Sequence, residues 1–218
     1  MKKDNLQIGE IYHVFNKSIA GYKIFNSESH FYRMKELMKY YNKKNVEYKY
    51  SRYIELINQG KNIQINQVNE SDKLVSLIAY CIMPTHLHLI LKQLAENGIT
   101  IFMRKILDSY SRYFNIRHNR KGPLWISRFK SVLVSDDEQL LHLTRYLHLN
   151  PTTAGLVKKP EDWKESSYNE YLGKINNDQK ICKFDDVLRI ESKPYQKFVN
   201  SQRSYQRELS IIKKIVID

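Results

Sequence analysis

The sequence predicts an α+β fold: an antiparallel sheet with helices packed on one face. Three observations predict it. Period-two segments rich in β-branched and aromatic residues recur along the chain. Three long segments carry apolar residues at spacings of three and four. The two kinds of segment mix without strict strand–helix–strand repetition, which argues against a parallel, doubly wound sheet.

The elements follow in order. "IYHVFNKSI" (11–19) alternates as a half-buried strand does. "SESHFYRMKELMKYYNKK" (27–44) carries Phe31, Met34, Leu37, Met38 and Tyr41 on one face, an amphipathic helix with Ser27 as N-cap. Residues 45–73 are polar and rich in Asn and Gln around an apolar "YIELI", and are read as a short strand or hairpin and a loop. "KLVSLIAYCIM" (73–83) is a buried strand. Pro84 interrupts it because it has no ladder donor, and "HLHLILK" (86–92) resumes as a second strand.

"ITIFMRKILDSYSRYFNIRHNRK" (99–121) is a long helix ended by Gly122-Pro123, with Tyr110 and Tyr113 on its core face. "SRFKSVLV" (127–134) is a strand. "SDDEQLLHLTRYLHLNP" (135–151) is a helix, with Ser135 and Glu138 spaced as a capping box and Pro151 as its boundary. The lysine-rich residues from 176 to the end, closing on "ELSIIKKIVID", read as a terminal helix on the domain or as an arm.

Composition narrows the partner. The 218 residues carry 36 Lys and Arg against 23 Asp and Glu, a formal charge of +13. A surface this basic attracts polyanions, of which nucleic acid is the commonest large one. No apolar run reaches membrane-spanning length, so a membrane partner is not expected. Cys81 and Cys182 form no CxxC pair. With no apolar leader at the N-terminus, a reducing cytoplasm is the expected location.

Within "CIMPTHLHLI", His86 and His88 lie one residue apart on a strand and share a face, about 7 Å apart, opposite Leu87, Leu89 and Leu91. An isolated pair of this kind is more often two independent surface histidines than a metal site. The helix at 135–151 supplies further candidates. His142, Tyr146 and Asn150 follow at i, i+4 and i+8, along one stripe at the margin of its apolar face. Asn150 could offer a carbonyl oxygen to an ion held by the two imidazoles, with His142 as a fallback ligand. Arg112, Arg117, Arg120, Lys121, Arg128 and Lys130 cluster around Trp125, the mixture of cations and an aromatic that tracks phosphates and stacks bases.

Four ordered blocks, "YHVFNKS", "AYCIMPTHLHLIL", "LWISRFKSVLV" and "RYLHLNPTTAGLV", resemble the HUH single-tyrosine transposases of the IS200/IS605 type, closest to the REP-associated tyrosine transposases. The resemblance runs from about residue 8 to 173 and includes "DWKESSYNEYLG". It implies a ferredoxin-like sheet of the HUH endonuclease type over residues 1–175, followed by a basic extension at 176–218. It implies His86 and His88 as the histidines of the HUH motif, Tyr146 as nucleophile and Asn150 as third metal ligand. It further implies metal-dependent cleavage and rejoining of single-stranded or hairpin DNA through a 5′-phosphotyrosine. Two imidazoles alone suit zinc or manganese, and the resemblance implies Mg²⁺ or Mn²⁺. A homodimer is open, because some relatives build their sites across two chains. The competing expectation is a domesticated, non-catalytic hairpin-binding protein.

Overall fold

The computed structural model describes residues 6–61 and 70–202. The terminal segment "ELSIIKKIVID" lies outside them. Four strands form one antiparallel sheet in the order β2-β3-β1-β4: β1 Ile11–Lys17, β2 Val75–Met83, β3 His86–Gln93 and β4 Lys130–Leu133. The mixed α+β class is the one the sequence predicts.

The long helices are α1 Glu28–Tyr41, α3 Gly98–Arg117 and α4 Asp137–Thr153. The shorter ones are α2 Tyr50–Asn58, α5 Tyr168–Tyr171 and α6 Ser192–Asn200. Where a hairpin and loop were expected, α2 forms. Tyr50, Tyr53 and Leu56 recur at three-residue spacing and are buried, and Tyr53 packs on Tyr40 of α1 at 4.8 Å. Helical periodicity was present there, masked by the polar residues around it.

Register decides the two faces. Val14 pairs with Leu89, and Asn16 with Leu87; Tyr80 and Ile82 of β2 oppose Leu89 and Leu87. This face is closed to solvent: Val14, Leu87, Leu89 and Leu91 are all 0% exposed. Helices α1 and α3 pack on each other, and α3 against β2 and β3. Helix α4 adds a third layer, because it lies over the histidine face, packed along β2 with Tyr146 against β1 and β3.

The N-terminus of α4 is capped one residue later than the spacing suggested. Asp136, not Ser135, is the N-cap, and its carboxylate accepts from the Gln139 amide at 2.7 Å. Gln139 Oε1 in turn accepts from the Ser135 amide at 2.7 Å. The reciprocal logic of a capping box is kept with Gln139 in the role expected of Glu138. Pro151 does not bound the helix, which continues to Thr153. A proline in the last turn removes one amide donor where the ladder is about to end anyway.

The outer edge of β2 is covered. Residues 165–167 run along it, with Ile82 N–H to Glu165 O and Ser167 N–H to Tyr80 O, both 2.9 Å, and Lys183 N–H reaches Leu77 O at 2.8 Å. Leu188, Tyr195 and Val199 of the C-terminal segment are buried in the main core. Among the described residues no helix is long and apolar enough to cross a membrane.

Gly98 begins α3 pressed against the backbone of Leu74, and a Cβ there would overlap the Leu74 carbonyl oxygen. That oxygen already accepts from the amides of Leu94 and Ala95, so it is held in place. Gly98→Ala should therefore cost about 1–3 kcal/mol, outweighing the gain of about 1 kcal/mol that alanine brings to a helix. Urea unfolding should show a lower midpoint; an unchanged or raised midpoint would refute the close approach.

Candidate active site on the histidine face of the sheet

In an antiparallel ladder, directly paired residues project to the same side. His88 pairs with Phe15 and Cys81, His86 with Lys17 and Met83, and Ile90 with His13. Lys130 pairs with Phe15, and Val132 with His13. One face therefore carries His13, Phe15 and Lys17 on β1, His86 and His88 on β3, and Lys130 on β4. The leucines of β3 fill the other. The strand alternation read from "HLHLIL" holds.

The imidazoles are neighbours. The rings of His86 and His88 lie 5.1 Å apart, edge to face. His88 Nδ1 shares a 3.0 Å hydrogen bond with Nε2 of His13, and His86 Nδ1 shares one of 2.9 Å with Thr85 Oγ1. Each ring is held through Nδ1, which leaves Nε2 of both without a hydrogen-bond partner among the described residues. Burial favours the neutral form of all three histidines. Desolvation holds His13 down at about 4. Desolvation and then Lys17 take His86 to about 4. Desolvation, followed by His86, His13 and Lys17, takes His88 to about 2.

Tyr146 reaches this cluster from α4. Its ring meets His88 edge-on at 5.9 Å and His13 at 6.4 Å, and it remains 41% exposed. A phenol that touches the imidazoles and is open to solvent can also meet a ligand. The tyrosines of α3 differ. Tyr110 is fully buried, and its hydroxyl donates to Ile24 O at 2.6 Å.

Asn150 stands one turn beyond Tyr146. Its side-chain amide makes no hydrogen bond among the described residues, and its nitrogen is buried without a partner. Orphaned buried amides are uncommon and ask for an explanation. His142 turns elsewhere: it shares a 2.9 Å hydrogen bond with Arg145 and packs edge-on against Phe198 of α6 at 5.5 Å.

Among the described residues no three His, Cys, Asp or Glu side chains form a metal-holding group. The groups that could hold a divalent ion are two neutral imidazoles with free Nε2 atoms; from Asn150 only the amide oxygen could join them, because the orphaned nitrogen is a hydrogen-bond donor and not a ligand. Neutral imidazole is the form that ligates, and the partners on Nδ1 orient the rings.

The basic cluster separates. Arg112 lies at the groove formed with Arg104, Asp108 and the 46–49 loop. Arg117 and Lys121 are exposed at the end of α3. Arg120 is tied to its own loop, donating to Asn115 Oδ1 at 3.1 Å and Pro123 O at 2.7 Å, and it stacks on Tyr22 at 5.8 Å. Trp125 packs against Phe25 and Tyr110 and donates to Leu107 O at 3.3 Å, so its ring is committed to the protein. Arg128 and Lys130 are exposed, and Lys130 is on the histidine face.

Sequence reasoning missed His13 and Asn16. The side-chain amide of Asn16 donates to the carbonyls of Ser127 and Arg128 at 3.0 and 2.8 Å, fixing the approach to β4. Period two in "IYHVFNK" puts His13 and Phe15 on one face. Only the register with β3 brings that face to His88.

Residues 24–150, more than half of the chain, match the family described as "Transposase IS200 like". The chain belongs to the IS200-like transposase family. Over 103 residues it is 32% identical to a Haemophilus influenzae protein assigned as a REP-associated tyrosine transposase; the match spans 42% of this chain and 58% of that protein. Its fold is similar to that of a REP-associated tyrosine transposase solved bound to a REP hairpin, with a TM-score of 0.54 and 16% identity over 88% of this chain and 99% of that one. At that identity the likeness speaks for the fold. The family match ends at Asn150, so it takes in His86, His88 and Tyr146 but leaves out β1 with His13 and everything beyond α4's last turn.

The depressed histidines make stability depend on pH. An unfolded histidine takes a proton below about 6.5, whereas His13, His86, His88 and His148 stay neutral in the fold until far lower pH. Stability should fall as pH drops from 7 to 5, by up to about 1.4 kcal/mol per unit for the fully buried His148 alone. Glu170, whose buried carboxyl is raised, acts the opposite way in its own window. It is one group against five, since His30 is lowered as well by burial and by His118 and Arg117. A melting temperature flat between pH 7 and 5 would contradict the neutral cluster.

Proposed function

We propose that this family member is a metal-dependent single-stranded DNA endonuclease and strand transferase that works through a 5′-phosphotyrosine. The observation that carries the reading is the half-exposed Tyr146 ring, edge-on to His88 in the pair His86–His88. His86 and His88 through Nε2, and Asn150 through its side-chain amide oxygen, would hold Mg²⁺ or Mn²⁺. When bound, such an ion would polarise the phosphate and stabilise charge developing on its oxygens.

The chain's own groups set the rest. The Tyr146 oxygen attacks phosphorus in line. The phenol gives up its proton, the O–P bond forms, the P–O3′ bond breaks, and the released 3′ oxygen takes up a proton. The phosphodiester's energy is kept in the phosphotyrosine, so the 3′-OH of another strand can reverse the step. His13 keeps its place beside His88 and fixes which nitrogen of that ring is free.

Lys17 and Lys130 flank the histidines on the same face, and Arg128 precedes Lys130, so a strand crossing the sheet would meet cations on both sides. Single-stranded DNA can bend onto such a face, which a stacked duplex resists. A hairpin-bearing strand is the proposed substrate, supported by the REP hairpin bound to the structural neighbour. Arg117 and Lys121 belong to the proposed contact. Arg120 and Trp125 are engaged in other contacts, and Arg112 lines the separate groove with Arg104 and Asp108; these three are weaker members of it.

The test is incubation with hairpin-bearing single-stranded DNA and Mn²⁺, followed by denaturing electrophoresis. Wild type should give a covalent adduct. Tyr146→Phe should abolish adduct and cleavage while leaving the fold and DNA affinity nearly unchanged. His88→Ala should also lose cleavage, with partial rescue by excess Mn²⁺. Adduct formation by Tyr146→Phe would remove Tyr146 from its role. DNA binding without adduct in wild type would favour a non-catalytic hairpin binder.

Affinity for that DNA should also fall by roughly 10³-fold or more between 50 and 200 mM salt if several phosphates are contacted. A salt-independent affinity would count against the polyanion reading of the +13 charge.

A further inference from the structure

Helix α4 has a second functional side. Opposite Tyr146 it buries Thr144 and His148, each 0% exposed, in a polar network that reaches into α6, beyond the residues the family model covers. His148 Nδ1 is 2.7 Å from Tyr195 Oη, and His148 Nε2 is 2.8 Å from Ser167 Oγ. Tyr195 Oη donates to Thr144 Oγ1 at 2.9 Å, and Thr144 Oγ1 donates to Leu141 O at 2.7 Å.

The proton directions in this network are fixed. A carbonyl only accepts, so the Thr144 proton points to Leu141 O and Thr144 must accept from Tyr195. The Tyr195 oxygen then accepts from His148 Nδ1–H. His148 Nε2, carrying the lone pair of a neutral ring, accepts from Ser167. The Ser167 proton has a second acceptor in Tyr80 O at 3.3 Å, but the shorter bond to His148 Nε2 at 2.8 Å satisfies the ring's lone pair.

Phe198 adds an apolar arm. Its ring lies 4.2 Å beneath the Arg145 guanidinium and 5.5 Å from His142. Helix α6 thus grips α4 at His142, Thr144, Arg145 and His148, on both sides of Tyr146 in sequence. Rotation or sliding of α4 would break these contacts together.

We propose that α6 is a brace for the nucleophile helix, and that Tyr195 is a positioning residue for Tyr146. Through Thr144 and His148 it fixes the rotation of α4 about its axis, and with it the direction in which the phenol at 146 points. The inference rests on Tyr146 being the nucleophile for its effect on cleavage, but not for its effect on α4.

The test uses the full chain with Tyr195→Phe, which keeps the ring and removes the hydroxyl. Amide hydrogen exchange across 141–150 should accelerate, while exchange in α1 and α3 stays as in wild type. With hairpin-bearing single-stranded DNA and Mn²⁺, the single-turnover cleavage rate at saturating DNA should fall between about 10- and 100-fold, with the dissociation constant within about twofold of wild type. Gly98→Ala is the control for plain destabilisation. Assayed well below its own melting temperature, it should cleave at the wild-type rate. Phe198→Leu, which removes the face beneath Arg145, should shift exchange and rate in the same direction as Tyr195→Phe. Unchanged exchange across 141–150 in Tyr195→Phe overturns the brace, as does an unchanged rate in a cleaving protein. Absence of cleavage in wild type would instead sink the proposed activity, and the exchange measurement would still decide the brace.

Discussion

The 3.0 Å hydrogen bond between His13 and His88 depends on the register of β1 against β3, and the site is built on that register. Direct pairing of Phe15 with His88 puts His13 on the same face, one step along the ladder. A one-residue slip would send His13 and Phe15 to the leucine face and bring Val14 beside the histidines. The slip is prohibited by the core: Val14 is fully buried beside Leu87, Leu89 and Leu91, and it would leave that apolar layer while His13 and Phe15 entered it. Hydrophobic burial on one face thereby fixes the chemistry of the other.

The same division of labour recurs in α4. Tyr146 is left half exposed, while Thr144, Leu147, His148 and Leu149 are buried around it. The nucleophile's role proposed for Tyr146 needs a side chain that is reachable and yet holds its direction, and a helix gripped on its other sides supplies both. The burial of His148 would be costly for an unpartnered ring; with both nitrogens hydrogen-bonded it becomes a specific lock. Its neutrality has the same origin as that of the histidines facing Tyr146: desolvation disfavours the charged ring.

The sheet's two edges are treated differently. Residues 165–167 and Lys183 cover β2 through backbone hydrogen bonds. At the other edge β4 is exposed along its length, with Val132 55% and Leu133 50% exposed. The loop leading into β4 is nonetheless positioned, by the buried Asn16 amide and by the Ile126 amide on Lys17 O at 3.0 Å. Arg128 and Lys130 therefore leave the protein from a fixed base.

The sequence by itself determined the strands, the three long helices and the opposite faces of His88 and Leu87, because periods of two and 3.6 are written in the chain. It also placed Tyr146 and Asn150 on one stripe, and its ordered blocks pointed to the family. It did not disclose α2, whose three apolar residues are diluted by polar neighbours, or the one-residue shift of the α4 cap, which turns on which of two adjacent acceptors meets the Gln139 amide. Tertiary structure alone decided that α4 crosses the histidine face, that His13 meets His88, that Trp125 spends its indole on the core, and that Tyr195 holds His148. Each of these is a contact between segments distant in the chain. Local pattern fixes which way a side chain points from its own element; only packing fixes what it finds there.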